Sequence, residues 1–386
     1  MKASASKAIV QALIDLGVEI VTHVPGYGGT EVFSDYNELC QKRLQYSFNE
    51  EPAFTIAHAA SILGKRSAVL IKVHGLAKAA NSVVDSLYSE INAGFVTFLF
   101  EDKSGKHSDS ILEASPILES LSMPFIVAKT ENVYNDVISA FKESEKRKMP
   151  FAVVIDSNEI TKEISFEQKP NLKKTFYYKR DVYRHVVHPM LSDYQYKIFM
   201  AKKLGGDSTV ILRPDLPVVP NQLPERARNA ATKYLPLIEV FKNYRGQIVT
   251  ADTTAVGNFA FPPYDLIDII TYMGGSIPLA IGAYLAGYKK VWALTGDFGF
   301  ISAGHLGLIE VLQREIPIKI LVFYNKQAAS TGGQPINKKI LRHLLAGYEK
   351  FMLHISNPDD PFEADSVLKE ASESNELKIV IADYPE

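Results

Sequence analysis

"LTGDFGFISAGHLGLIEVLQREIPIKILVFYNKQAASTGGQP", Leu294–Pro335, is the stretch on which the fold turns. "KKVWALT", which leads into it, predicts a strand, "ISAGHLGLIEVLQREI" a helix and "IKILVFY" a second strand. Such a βαβ unit has a right-handed crossover, so both strands end at one edge of a parallel sheet. Asp297 ends the first apolar run, and Asn325, 28 residues later, ends the second. That carboxyl edge is where open α/β sheets bind ligands. A carboxylate and an amide oxygen suit a hard cation such as Mg²⁺, which takes few protein ligands and shares the rest with phosphate oxygens. Gly296 and Gly299 let backbone approach an anion, and the helix that follows turns its N–H groups toward the same place. Alone, Asp297 would be a helix cap and Asn325 a turn residue. Together, with the glycines, they point to a Mg²⁺-diphosphate site.

Outward from this unit, the composition narrows the class. The 386 residues can bury two cores of ordinary size. A net charge of −2 gives no electrostatic reason to expect nucleic acid or an anionic membrane as partner. No apolar run approaches the roughly 18 residues needed to span a bilayer. The N-terminus reads as an amphipathic helix over 5–16 carrying Asp15, not as a secretory signal. The single cysteine, Cys40, can form no internal disulfide and no thiolate-ligated cluster within these residues, and a reducing cytoplasm is the expected setting.

Two β/α series flank a different texture. The first covers 1–161: "VEIVTHVP", a loop "PGYGGTEVF", "LQYSFNEE", a helix over 52–63, "SAVLIKV", a glycine turn at Gly75, a helix over about 77–90, "GFVTFLF", "PFIVA", a helix near 131–146 and "PFAVVID". Residues 162–225 are charged, aromatic and proline-rich, and read as a connecting segment laid over a surface. The second series, 226–386, contains the opening stretch, a helix over 302–314 and the closing strand "LKIVIADYP". Continuous apolar strands between helices predict an α/β protein of two domains, each a mainly parallel sheet flanked by helices.

Here the sequence resembles thiamine diphosphate-dependent enzymes, whose motif is Gly-Asp-Gly followed by an Asn at the next strand tip. It departs at Phe298, in place of the third glycine, and at Tyr324 before Asn325. The alpha subunit of indolepyruvate ferredoxin oxidoreductase has similarly relaxed forms and a Thr-Gly-X-Gln-Pro segment like Thr331–Pro335. Phosphonopyruvate and sulfopyruvate decarboxylases carry a similar Gly-Gly-Gln-Pro run. "HVPGYGGTEVF", "NEEPAFTIAHAASILGKRSAVLIKVHGLAKAANS", "EDKSGKHSDS" and "TADTTAVGNFAFPPYDLIDIITYMGGSIPLAIG" resemble further parts of that alpha subunit, whose cysteine-rich ferredoxin domain has no counterpart here.

The resemblance implies a pyrimidine-binding domain (1–161) and a diphosphate-binding domain (226–386), with thiamine diphosphate and Mg²⁺ as cofactors. Asp297, Asn325 and the carbonyl of Gln327 would hold the metal, and Gly296, Phe298, Gly299 and Thr331 would line the diphosphate. Met273 stands where a bulky apolar residue bends the cofactor, with Gly274, Gly275 and Ser276 after it; a core methionine is the plainer alternative. Glu50, three residues before Ala53, matches the glutamate that bonds the aminopyrimidine, and Gly26 and Gly75 are further cofactor-binding candidates. From residues alone, the Glu50–Glu51 pair reads as favourable charge at a helix start; the family match favours Glu50 as catalytic. His107 matches a family histidine and is the second catalytic candidate. Tyr27, Thr30 and His74 are candidates to face the substrate, against the plainer reading of a glycine-rich turn and solvated loop histidines.

Three functions fit. The first is non-oxidative decarboxylation of a 2-oxo acid, or carboligation. The second is the catalytic subunit of a 2-oxoacid:ferredoxin oxidoreductase whose iron–sulfur clusters lie on a partner chain. The third is a weakly active paralogue that binds thiamine diphosphate. The single cysteine tilts the reading to the first. A homodimer with sites at the subunit interface is implied by the resemblance.

Overall fold

Each half of the chain places its most apolar runs in the centre of a parallel sheet, where both faces are covered. The computed structural model describes residues 1–385, of Ser330 the backbone only. Contacts divide it into a unit of Met1–Lys179 with Ala201–Gly206 and a unit of Arg180–Met200 with Asp207–Glu386. The segment 162–225 is therefore shared between the two units: Glu163–Ser165 pairs antiparallel with Lys2–Ser4, and Ser192–Lys203 forms a helix absent from the sequence reading.

In the first unit the strands Ile20–His23, Ser67–Lys72, Phe95–Glu101, Phe125–Val127 and Phe151–Asp156 are all parallel. Ranked by chain order they lie 1-2-3-5-4. In the second unit Ile248–Asp252, Ile269–Thr271, Val291–Gly296, Lys319–Tyr324, Met352–Ile355 and Lys378–Asp383 are again all parallel and lie 2-1-3-4-6-5. Removing the second strand from that order leaves the order of the first unit, so the two sheets are wound alike. Where the first unit would carry the missing edge strand, "LQYSFNEE" contributes a backbone hydrogen bond from Ser47 N–H to His23 O (2.7 Å). In the second unit the winding reverses between Ile248–Asp252 and Val291–Gly296, and the crevice at such a switch point is the expected ligand site.

The helix expected over 5–16 is Ala5–Leu16, started by Ser4, whose side chain accepts from Lys7 N–H, and ended by Gly17 in the left-handed conformation (φ 69°). Two expectations change. Gly75 lies inside a short helix, Val73–Lys78, and not in a turn, which moves His74 from a loop into that helix. The helix expected over about 77–90 is this one and Ala80–Tyr88 in succession. Gly75 is there for packing: a Cβ on it would lie 2.5 Å from Glu50 Cγ. The helix expected from 302 begins earlier, as a turn at Asp297–Gly299, a π-helical segment Phe300–Gly304, then His305–Gln313. Among the described residues no helix is long and apolar enough to cross a membrane.

One buried histidine gives the fold a pH dependence. His58, on the helix Glu50–Ile62, is 1% exposed, and burial pulls its pKa from 6.5 to about 3. Ser89 Oγ lies 3.0 Å from its Nε2. A lowered pKa on a base means that its contribution is complete above 6.5 and is lost as pH falls toward 3. The expected cost is about 1.4 kcal/mol per pH unit in that window. Urea unfolding at a series of pH values should show this slope, and His58→Phe should lessen it.

Candidate active site

In the second unit a cavity of about 60 Å³ opens at the carboxyl edge of the sheet. It is lined by Met273, Gly296, Asp297, Phe298, Gly299, Asn325, Gln327 and Thr331, eight positions singled out in the sequence, and by Tyr234, Thr253, Thr254, Ala255, Val256, Ala328 and Ala329. Parallel pairing of Gly296 with Phe323 sets Asp297 and Asn325 on adjoining strand tips. Asp297 is 1% exposed; its Oδ1 accepts from Phe298 N–H (2.8 Å) and its Oδ2 from Lys326 N–H (2.5 Å). Burial outweighs these bonds and pushes its pKa from 3.8 to about 6. Lys326 reaches this position with φ 64°. Asn325 Nδ2 donates to the Tyr234 hydroxyl (2.5 Å), and its Oδ1 accepts from Gln327 N–H (3.1 Å). The amide oxygen is thereby oriented, with one lone pair still to give.

These residues fit a diphosphate with its cation. A buried carboxylate with no cationic partner among the described residues is the kind of group a divalent ion would stabilise. A Cβ on Gly296 would meet open space, whereas one on Gly299 would collide with Asp252 Oδ2. Thr254 Oγ1 is buried without a hydrogen-bond partner among the described residues. Among the described residues no group of three or more His, Cys, Asp or Glu could hold a metal alone. Two protein side chains plus phosphate oxygens is the arrangement that Mg²⁺ commonly takes. Of the two departures from the motif, Phe298 lines the cavity at 41% exposure, whereas Tyr324 directs its hydroxyl to Lys338 O (3.2 Å).

Gly274, Gly275 and Ser276, unlike Met273, do not line the cavity. Asp252, fully buried at the neighbouring strand tip, accepts from Ser276 N–H (2.8 Å) on Oδ1 and from Thr295 Oγ1 (2.5 Å) on Oδ2. Gly274 has φ 90°, and a Cβ there would lie 2.6 Å from Ala303 Cβ. Asp252 thus ties the start of the helix Ser276–Leu285, just after Met273, to the end of the strand that leads into Asp297. Its carboxyl is pushed up by burial, against hydrogen bonds from Thr295 and Ser276.

In the first unit the carboxyl edge gathers three segments: 26–30, 73–78 and 102–110. Gly26 N–H donates to Thr30 Oγ1 (3.0 Å), which lies 3.2 Å from His23 Nε2, while His23 Nδ1 lies 3.0 Å from Leu70 O. With a carbonyl at Nδ1, that nitrogen carries the proton and Nε2 accepts from Thr30. Burial lowers the His23 pKa to about 4. Thr30 is therefore tied into its own loop. The Tyr27 and His107 rings stack with centroids 3.7 Å apart. Lys72 Nζ donates to His107 O and Ser108 Oγ, both at 2.5 Å, and His107 N–H donates to Asp102 Oδ2 (2.7 Å). Burial raises the Asp102 carboxyl, but the bonds from His107, Ser104, Ser108 and Asn158 prevail and hold it well below the usual carboxylate range. His74 Nε2 lies 2.9 Å from Ser110 Oγ.

Glu50 opens the helix Glu50–Ile62, capped by Asn49, and its side chain lies against Gly75 at 17% exposure. Glu51 diverges: its Oε1 accepts from Asn81 Nδ2 (3.3 Å), and burial raises its pKa. Tyr234, Asp252, Thr253, Thr254 and His23 had no place among the sequence candidates. For Asp252 a signal existed, because "VTAD" ends an apolar run in an acid just as "ALTGD" does.

Three comparisons bear on this geometry. The family model described as "Thiamine pyrophosphate enzyme, C-terminal TPP binding domain" matches residues 253–359. The indolepyruvate oxidoreductase subunit IorA of Archaeoglobus fulgidus is 28% identical over 106 residues, 26% of this chain and 17% of that protein. Its counterpart from Methanothermobacter marburgensis is 25% identical over 149 residues, 38% of this chain and 24% of that protein. The chain thus spans under a quarter of the length of these two curated relatives. Among solved structures, a thiamine diphosphate-dependent 4-hydroxybenzoylformate decarboxylase of Rhodococcus jostii superposes with a TM-score of 0.69 at 13% identity, covering 100% of both chains. Benzoylformate decarboxylase of Polynucleobacter necessarius gives 0.64 at 11% identity and 98% of both. At these identities the likeness is one of fold.

Proposed function

We propose that this chain, a thiamine diphosphate-dependent enzyme by its fold and its C-terminal cofactor-binding domain, decarboxylates a 2-oxo acid without oxidising it, or joins the product to an aldehyde. The observation that carries the reading is the cavity in which Asp297, Asn325, Gln327 and Met273 meet at the switch point of the second sheet. When bound, thiamine diphosphate supplies the nucleophilic carbon and the electron sink that decarboxylation needs.

The chain's own residues have the remaining tasks. Asp297, Asn325 and the Gln327 carbonyl would hold Mg²⁺ against the diphosphate, whose oxygens would face Gly296, Thr254 and Thr331. Met273 would support the bent cofactor. Glu50 would hold a proton at the ring nitrogen of the aminopyrimidine, and His107, with Tyr27 and His74, would line the substrate side. A homodimer would let the two units of different copies share one cofactor. The lone cysteine suits a reducing cytoplasm.

A second reading has its own support: the sequence relatives are named as oxidoreductase subunits. In that case a partner chain would carry the iron–sulfur clusters, because four thiolates per typical cluster cannot come from Cys40 alone. The isolated protein, supplied with Mg²⁺ and thiamine diphosphate, is expected to contain no stoichiometric iron or sulfide. It should release CO₂ and an aldehyde or carboligation product from its 2-oxo acid without reducing a viologen dye. A panel of 2-oxo acids, with CO₂, aldehyde and dye reduction followed together, is the test. Turnover only after a cluster-bearing partner is added would replace the decarboxylase with the oxidoreductase subunit.

A further inference from the structure

Beside Glu50 stands a cation to which neither the fold nor the proposed chemistry gives a task. Gly75 and Lys78 sit three residues apart on the helix Val73–Lys78, so both belong to one face of it. Gly75 makes room for the Glu50 side chain, and Lys78 Nζ lies 3.2 Å from Glu50 Oε2. That oxygen is buried and makes no hydrogen bond among the described residues, so the ammonium is at ion-pair distance without hydrogen-bond alignment. A carboxylate oxygen out of water with only a loosely aimed cation is incompletely satisfied. The two side chains differ in freedom: Glu50 is 17% exposed and wedged against Gly75 at a capped helix start, whereas Lys78 is 55% exposed. A long lysine stem can return its charge to water at small cost, and exposed ion pairs of this kind are weak. On displacement the lysine moves and the glutamate stays.

We propose that Lys78 is a positioning residue for Glu50: it holds the carboxylate in the cofactor-free protein and is displaced from it by the aminopyrimidine ring of thiamine diphosphate. The inference rests on the reading of Glu50 given above. Removing the lysine takes away a competitor for the carboxylate and leaves the Gly75 cradle unchanged. Lys78→Met should therefore tighten thiamine diphosphate binding by about 1.4- to 5-fold, the span that weak ion pairs cover. Lys78→Arg retains the charge and should bind like the unaltered protein. Rising NaCl screens the pair, so the difference between Lys78→Met and the unaltered protein should shrink.

The experiment is calorimetric titration of thiamine diphosphate with Mg²⁺ into the full chain, in a cycle of Lys78→Met, Glu50→Gln and the double variant, with Lys78→Arg alongside. The gain from Lys78→Met should vanish in the Glu50→Gln background. Weaker or unchanged binding in Lys78→Met, or the same gain in both backgrounds, would overturn the proposal. If Lys78→Met fails to fold, Lys78→Gln takes its place in the cycle, with thermal unfolding as the check. Exchange of the cofactor's C2 proton separates the two levels. Unimpaired exchange in Glu50→Gln sinks the reading of Glu50 itself, whereas impaired exchange with no coupling to Lys78 sinks only the role of the lysine.

Discussion

Asp297→Ala is expected to abolish Mg²⁺-dependent binding of thiamine diphosphate, weakening it at least about 100-fold, the scale of losing roughly 3 kcal/mol from a charged contact. Among the described residues the carboxylate is the only acidic side chain lining the cavity. It is almost fully buried, and the N–H groups of Phe298 and Lys326 hold its two oxygens in place. Alanine leaves both donors without that acceptor, at about 1–3 kcal/mol each if no other group reaches them. The truncation therefore disturbs the site as well as removing a ligand. Asp297→Asn separates the two effects, because an amide oxygen can still accept one of those bonds while the charge is gone. Both variants should bind weakly in calorimetry, and added Mg²⁺ should no longer improve binding. Affinity unchanged in Asp297→Ala would refute the assignment of the metal site.

That this acid could be singled out from sequence has a definite cause. A βαβ crossover sends consecutive parallel strands to one edge, so the residues that end them become neighbours without further information. Asp297, Asn325 and the flanking glycines are legible on those grounds, Gln327 only through the family resemblance, and all of them line one cavity. Tyr234 is not. It comes from the helix Glu225–Phe241, where an aromatic residue on a buried face looks like any core residue, and only the tertiary fold brings its hydroxyl to Asn325.

Gly75 shows the opposite error. A lone glycine after an apolar run usually marks a turn, yet here it sits in a helix, and it is glycine because Glu50, 25 residues earlier, fills the space a Cβ would take. Local sequence carries no trace of that contact. The helix Ser192–Lys203 is illegible in the sequence for another reason. Only Gln195 and Phe199 are buried on it, so the apolar period that announces an amphipathic helix is too thin to stand out from a charged, aromatic segment. Asp252 was visible as a strand-tip acid, but its partners, Thr295 and Ser276, turn it into a brace behind the cavity.

Glu50→Gln should leave thiamine diphosphate bound while slowing exchange of its C2 proton by about 10²–10⁴-fold, the usual range for losing a general acid–base group. The substitution is nearly isosteric, so the space beside Gly75 stays filled and the helix start keeps its Asn49 cap. On the proposed role of Glu50, what would be lost is the ability to exchange a proton with the ring nitrogen, which a neutral amide does not do at ordinary pH. The neighbouring acid supplies the control. Glu51 bonds Asn81 and lies close enough to Asp85 that the Asp85 carboxyl, already raised by burial, is pushed further up, to about 6. It therefore belongs to a different contact set, and Glu51→Gln should alter exchange little. The measurement is deuterium exchange at C2 of the bound cofactor, quenched in acid and read by proton NMR, with calorimetry run in parallel to show that binding persists. Should Glu51→Gln prove the more damaging change, the assignment across "NEEPA" is off by one residue, and the Gly75 cradle serves packing alone.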